Sequence, residues 1–147
     1  MFGENIQTNQ YKKFKIEIKW KKCVGWFMMG FLTDTIEHSI MNWRQCIGEN
    51  LNRDHSVGIA VEKTKKYFYL YDKYNWYKKL SKYQSKYKFA ENDIIILSFD
   101  FILYILTIYH NGNKAAKLSI KNYKQIIPAF TLSDIKNEEI EIKYEFC

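Results

Sequence analysis

Residues 92–112 read NDIIILSFDFILYILTIYHNG, and the alternation within them decides the fold. A period of two places Ile95, Leu97 and Phe99 on one fully apolar face of a strand over residues 94–100. A second strand over 103–110 runs directly into Asn111-Gly112. That pair accepts the positive φ angles of a type I′ turn at little cost, so the chain doubles back as a hairpin.

The same period extends outward from this hairpin. In KFKIEIKW (13–20), Phe14, Ile16, Ile18 and Trp20 alternate with Lys13, Lys15, Glu17 and Lys19, giving one dry face and one charged face. In EIEIKYEF (139–146), Ile140, Ile142, Tyr144 and Phe146 are expected inward, with Glu139, Glu141, Lys143 and Glu145 outward. Further strands are expected over residues 24–32, 57–62, 67–71, 115–120 and 125–132. About nine short strands with turn chemistry between them and little convincing helix indicate an all-β, antiparallel β-sandwich.

Two stretches leave the pattern. Residues 33–53 (TDTIEHSIMNWRQCIGENLNR) are polar with scattered Ile36, Ile40, Met41, Trp43 and Ile47, too long for a simple hairpin loop. Residues 72–88 (DKYNWYKKLSKYQSKYK) interleave six lysines with Tyr74, Trp76, Tyr77, Tyr83 and Tyr87. There Trp76, Leu80, Tyr83 and Tyr87 are spaced to form one side of a short helix.

A chain of 147 residues is one domain, 1–147, with 1–10 as an N-terminal extension. A chain of this size removes roughly 70% of its unfolded surface from water, so it folds without disulfides or metal. Hydrophobic residues at 47% and aromatics at 18%, with one Pro and six Gly, exclude disordered and linker-like composition. The net charge of +7 permits an acidic partner. The lysine excess travels with excess Ile, Asn and Tyr, a bias that AT-rich coding also produces, so the charge is discounted as a sign of nucleic acid. Cys23, Cys46 and Cys147 cannot all pair and show no C-x-x-C spacing, which points to a reducing, intracellular and cytoplasmic setting. No secretory h-region is seen, and the apolar run over 94–109 is broken by Ser98 and Asp100 and too short to span a bilayer.

The second half resembles a SPRY (B30.2-like) domain. Asn92-Asp93 stands where that family has Gly-Asp; Asp100, Leu106, Ile108, Asn111 and Gly112 fall at its spacing; IIPAFTL around Pro128 matches its Tyr-Pro-Ala-x-x-x-Leu strand, and EIEIKYEF its closing strand. More weakly, KFKIEIKW and FMMGFL resemble two early strands. Departures are Asn92 for Gly, Ile108 for Phe, and no clear Trp-Glu pair near residues 16–20. The resemblance spans nearly the whole chain from about Tyr11. It implies a bent, concanavalin-like (jelly-roll) sandwich of two antiparallel sheets with two long loops, in a eukaryotic, intracellular protein.

It also implies binding rather than catalysis: recognition of a peptide segment or folded surface of another protein through loops at one end of the sandwich. By position the loop after Phe31-Leu32, the 72–88 insert and the turn over 133–137 are candidates for that surface. Within them Asp34, His38, Trp43, Arg44, Tyr74, Trp76, Tyr77 and Asp134 are the candidate partner-binding residues, since Trp, Tyr and Arg dominate binding energy. Trp43 and Trp76 stand equally as plugs sealing the sandwich.

Other chemistries fare worse. Asp93 and Asp100 invite an acid–base pairing, but strand-end aspartates ordinarily accept turn amides. His38, His55 and His110 share no metal-ligand spacing, and His110, beside the turn, is expected to be exposed. Cys23 and Cys46 have no identifiable His partner. No G-x-S-x-G, P-loop or dinucleotide fingerprint occurs. The sequence therefore calls for no enzyme activity, no cofactor and no metal. The runner-up reading is nucleic-acid or anionic-surface binding through the 72–88 insert; a carbohydrate-binding module is third.

Overall fold

The structure is a computed structural model, and it describes residues 6–7, 10–33, 56–62, 69–71, 78–79, 89–119, 125–132 and 136–146. Among the described residues all the regular elements are strands: β1 (Ile6–Gln7), β2 (Lys13–Lys22), β3 (Trp26–Thr33), β4 (Ser56–Glu62), β5 (Tyr69–Tyr71), β6 (Lys78–Lys79), β7 (Asp93–Asp100), β8 (Ile105–His110), β9 (Asn113–Ser119), β10 (Gln125–Leu132) and β11 (Glu139–Phe146). They form two antiparallel sheets, one ordered β1-β10-β3-β4-β5-β6 and the other β11-β2-β7-β8-β9.

Period-two patterning builds the dry interior. Phe14, Ile16, Ile18 and Trp20 of β2 are fully buried, as are Ile95 and Phe99 of β7, with Leu97 beside them. They join Leu106 and Ile108 of β8 in one cluster with Phe27, Met29, Val61, Ile126 and Phe130 of the other sheet. Trp20 meets Phe27 edge to face across the sheets, ring centroids 4.9 Å apart. Each such side chain contributes about 2 kcal/mol by leaving water. Met28 and Ile127, on the opposite face of the six-stranded sheet from Phe27 and Ile126, are buried too.

Boundaries differ from the sequence expectation where the turn chemistry is local. The strand expected over 103–110 starts at Ile105, because residues 101–104 form a turn in which Tyr104 takes a φ of 53°. At the next turn Asn111 and Gly112 have φ of 47° and 82°, as the Asn-Gly pair demands, and β9 begins at once at Asn113. A helix through Trp76, Leu80 and Tyr83 is corrected at Lys78–Lys79, which pair with Leu70 and Tyr69 as β6; there the edge of β5 supplies backbone partners that the helical spacing ignores.

The inward row of β11 is corrected in part. Ile140 and Ile142 pack against the core, but Tyr144 and Phe146 are each 45% exposed. Alternation assigns a face, not the cover over it, and β11 ends its sheet. Pro128 sits in β10 opposite Phe31, past the two positions at which β10 pairs with β1. A residue without an amide hydrogen is tolerated at such a place.

Candidate functional site

Strand register fixes which segments leave from which end. Three residues carry the chain from Lys22, beside Glu139, to Trp26, beside Glu62. Trp20 pairs with Asp93, and Leu132 with Phe27, so these residues share one end. At the other end of the six-stranded sheet, Thr33 pairs with Ile126, Ser56 with Leu32 and Tyr71 with Gly58. With the strands of a sandwich aligned, that is the end of Lys13 and Asp100.

The eight sequence candidates lie outside the described residues. Their anchors do not. The segment bearing Asp34, His38, Trp43 and Arg44 leaves from Thr33 and returns at Ser56, and the segment bearing Tyr74, Trp76 and Tyr77 leaves from Tyr71. Both start from the Asp100 end. Asp134 follows Leu132 and starts from the Asp93 end.

At the Asp100 end, the described surface is a rigid apolar turn. Asp100 Oδ1 accepts the amides of Ile102 at 3.0 Å and Leu103 at 2.9 Å, and the Phe101 amide donates to the Lys12 carbonyl at 2.9 Å. Phe101 stacks on buried Phe99, centroids 6.5 Å apart. With its base fixed, the turn holds Ile102 and Leu103 in solvent, 62% and 64% exposed, with Tyr104 beside them at 37%. Exposed Ile and Leu on a pre-ordered turn lose little conformational entropy on docking. The sequence reading had absorbed Leu103 and Tyr104 into a strand and so missed them; the signal was Asp100 three residues ahead of Leu103, an Asx-type cap.

At the Asp93 end the described residues form a polar network. Asp93 Oδ2 accepts the Ala90 amide and binds His110 Nε2, each at 2.8 Å, while Oδ1 accepts Asn111 Nδ2 at 2.9 Å. Asn111 in turn accepts the Ile94 amide through Oδ1 and donates its own amide to the Ile94 carbonyl, both at 2.8 Å. Burial alone would push the Asp93 carboxyl up. The bonds from Asn111, His110 and the Ala90 amide, with the His110 charge, outweigh it and hold Asp93 below the ordinary carboxylate range.

His110 is the correction here: it is buried, only 5% exposed, with its ring 4.5 Å from that of Phe89. Period two from Leu106 and Ile108 carries it inward, and Asp93 satisfies its polar edge. Asp93 and Asp100 stand at opposite ends of β7, roughly 23 Å apart at 3.3 Å per residue, so they cannot divide one acid–base reaction. Cys23 is likewise buried, its thiol directed at the Trp20 carbonyl at 3.8 Å. Glu138 Oε1 accepts the Gly25 amide at 3.0 Å, tying the connection before β11 to the turn before β3.

Of the residues that carry the SPRY resemblance, Asn92, Asp93, Asp100, Asn111 and Gly112 serve the turns at the ends of β7 and β8. Asn92 has a φ of 66°, which explains why glycine is the usual occupant and why asparagine, tolerant of the left-handed region, replaces it without loss of the turn. Among the described residues no group of three or more His, Cys, Asp or Glu could hold a metal ion, and no helix is long and apolar enough to cross a membrane.

No protein-family profile matches the sequence, and no curated protein does. Solved structures do match in shape. The galectin LEC-6 of Caenorhabditis elegans superposes with a TM-score of 0.55 at 11% identity, over 99% of this chain and 90% of the galectin. A human SPRY domain gives 0.52 at 15% identity, over 97% of this chain and 81% of that domain. The carbohydrate-binding module CBM66 of Bacillus subtilis gives 0.49 at 9%, over 99% and 77%. At such identities the likeness is one of fold: this chain shares the two-sheet antiparallel sandwich found in a galectin and in a SPRY domain.

Proposed function

We propose that the protein is a non-enzymatic interaction module that recognises a segment or surface of another protein through the Asp100 end of the sandwich. The observation that carries the reading is the exposed Ile102-Leu103-Tyr104 turn, clamped by Asp100, at the end from which the two long candidate segments depart. An apolar knob at the end of the sandwich from which the segments bearing Trp43, Arg44, Tyr74, Trp76 and Tyr77 depart has the composition from which an interface centre is built, and Asp34 and Arg44 are the charges on those segments that would orient a partner. The segment bearing Asp134 follows Leu132 and so leaves from the Asp93 end. The SPRY resemblance supports the choice of a protein as ligand.

The test is capture of partner proteins by the intact chain and by Ile102→Ser/Leu103→Ser, Trp43→Ala and Trp76→Ala variants, each checked for its melting temperature. Loss of the captured set with unchanged melting supports the rim; capture that survives in the Ile102→Ser/Leu103→Ser variant removes it. Binding that falls steeply with salt assigns the activity to the lysine-rich insert and an anionic ligand instead, and specific glycan-array signals would assign it to carbohydrate.

A further inference from the structure

We propose that β11 is a self-association edge, and that two copies of this chain join β11 to β11 around a two-fold axis at Tyr144. Among the described residues β11 ends the five-stranded sheet, with β2 as its neighbour on one side. An eight-residue edge offers backbone donors and acceptors to another strand unless something blunts it. Here the strand also leaves an unfinished apolar row: Tyr144 and Phe146, 45% exposed, continue the buried row of Phe14, and Tyr11 lies against Phe146 with centroids 4.8 Å apart.

The charge pattern chooses the occupant and the register. A two-fold axis normal to the sheet keeps the same face up in both copies, so odd residues meet odd and even meet even. With the axis at Tyr144, the inner face sets Tyr144 against Tyr144 and Ile142 against Phe146 of the second copy. The outer face sets Lys143 against Glu145, twice by symmetry. Moving the axis to Lys143 puts Lys143 against itself and Glu141 against Glu145; moving it to Ile142 pairs Glu141 with Lys143 but also puts Glu139 against Glu145. Like charges directly opposite are unfavourable, so the Tyr144 register is the one these three choices leave.

The outer-face side chains of β11 differ in how closely their ion pairs are drawn. Glu141 contacts Lys21 at 2.9 Å, whereas Lys143 reaches Glu17 and Glu141 at 4.0 and 3.7 Å and Glu145 reaches Lys15 at 3.7 Å. Lys143 and Glu145 are 66% and 63% exposed.

Sedimentation equilibrium on the full chain over a dilution series tests this. The parent should dimerise. Lys143→Glu and Glu145→Lys should each weaken association roughly tenfold or more, by replacing two attractive cross-strand pairs with two repulsive ones. The Lys143→Glu/Glu145→Lys double variant should regain it. Melting temperatures measured at the lowest concentration should stay near the parent's, showing that the variants fold. As a register check, Tyr144→Cys in a Cys147→Ser background should oxidise to a covalent dimer, because symmetric partners in an antiparallel pair fall within disulfide reach, while Ile142→Cys in that background should not. A parent that stays monomeric throughout, or a dimer that the single reversals leave intact, overturns the proposal.

Discussion

The two ends of β7 carry the same residue in opposite surroundings. Asp93 and Asp100 both accept backbone amides of a neighbouring turn. At Asp93 the carboxylate also binds a buried imidazole and the side chain of the turn asparagine, and the end is sealed over Phe89. At Asp100 the carboxylate binds turn amides and presents Ile102 and Leu103 to water. The contrast separates two uses of strand-end polarity. One turns three side-chain bonds of a single carboxylate to closing the fold; the other stiffens a surface that the described fold does not cover.

Breaking the polar end should have the largest effect. Asp93→Ala removes the acceptor of the Ala90 amide and the 2.8 Å carboxylate partner of buried His110, and should lower unfolding free energy by about 3 kcal/mol in denaturant titration. Asp100→Ala, at an exposed turn, should cost about 1 kcal/mol; equal losses at the two sites would erase the comparison. Gly112→Ala should also cost about 1 kcal/mol. An added Cβ there meets nothing within 4 Å, so the penalty comes from the φ of 82° alone.

The pH response sharpens the same contrast. Because the folded-state pKa of Asp93 lies below its ordinary value of 3.8, its contribution is fully present above that value and is lost as pH falls through the folded pKa. Asp93→Asn should flatten this acid limb of the stability profile, measured by melting temperature from neutral pH downward. The smallest effect is expected for Ile102→Ser/Leu103→Ser, whose stability should stay within about 0.5 kcal/mol of the parent while partner capture is lost.

The fold was legible because its strands are half-buried and period two records that directly. Phe14 through Trp20 and Ile95 through Phe99 were placed on the correct face by alternation alone. His110 was misplaced because its chemistry was read before its parity: proximity to Asn-Gly suggested solvent, while two steps from Ile108 meant the interior. Tyr144 and Phe146 show the converse limit, since parity gave their face correctly but not whether a second sheet reaches them. The Asp100 turn was hidden for a different reason. FILY is as apolar as a strand, and only the capping aspartate marks it as a bend. Of the candidate site, the anchors of the segments bearing Trp43 and Trp76 follow from strand register, a long-range quantity that no local stretch encodes.

One last consequence lies in the Asn111-Gly112 turn. Asparagine followed by glycine is the pair most prone to cyclise to a succinimide and lose ammonia, a reaction that needs the side-chain carbonyl to swing onto the next backbone nitrogen. In this molecule that carbonyl is occupied by the Ile94 amide and its amino group by Asp93, so the folded state shields its own weakest bond from ageing. Should conversion to aspartate occur during unfolding, the new carboxylate would return to a place beside the Asp93 carboxylate, and refolding would bring two anions face to face.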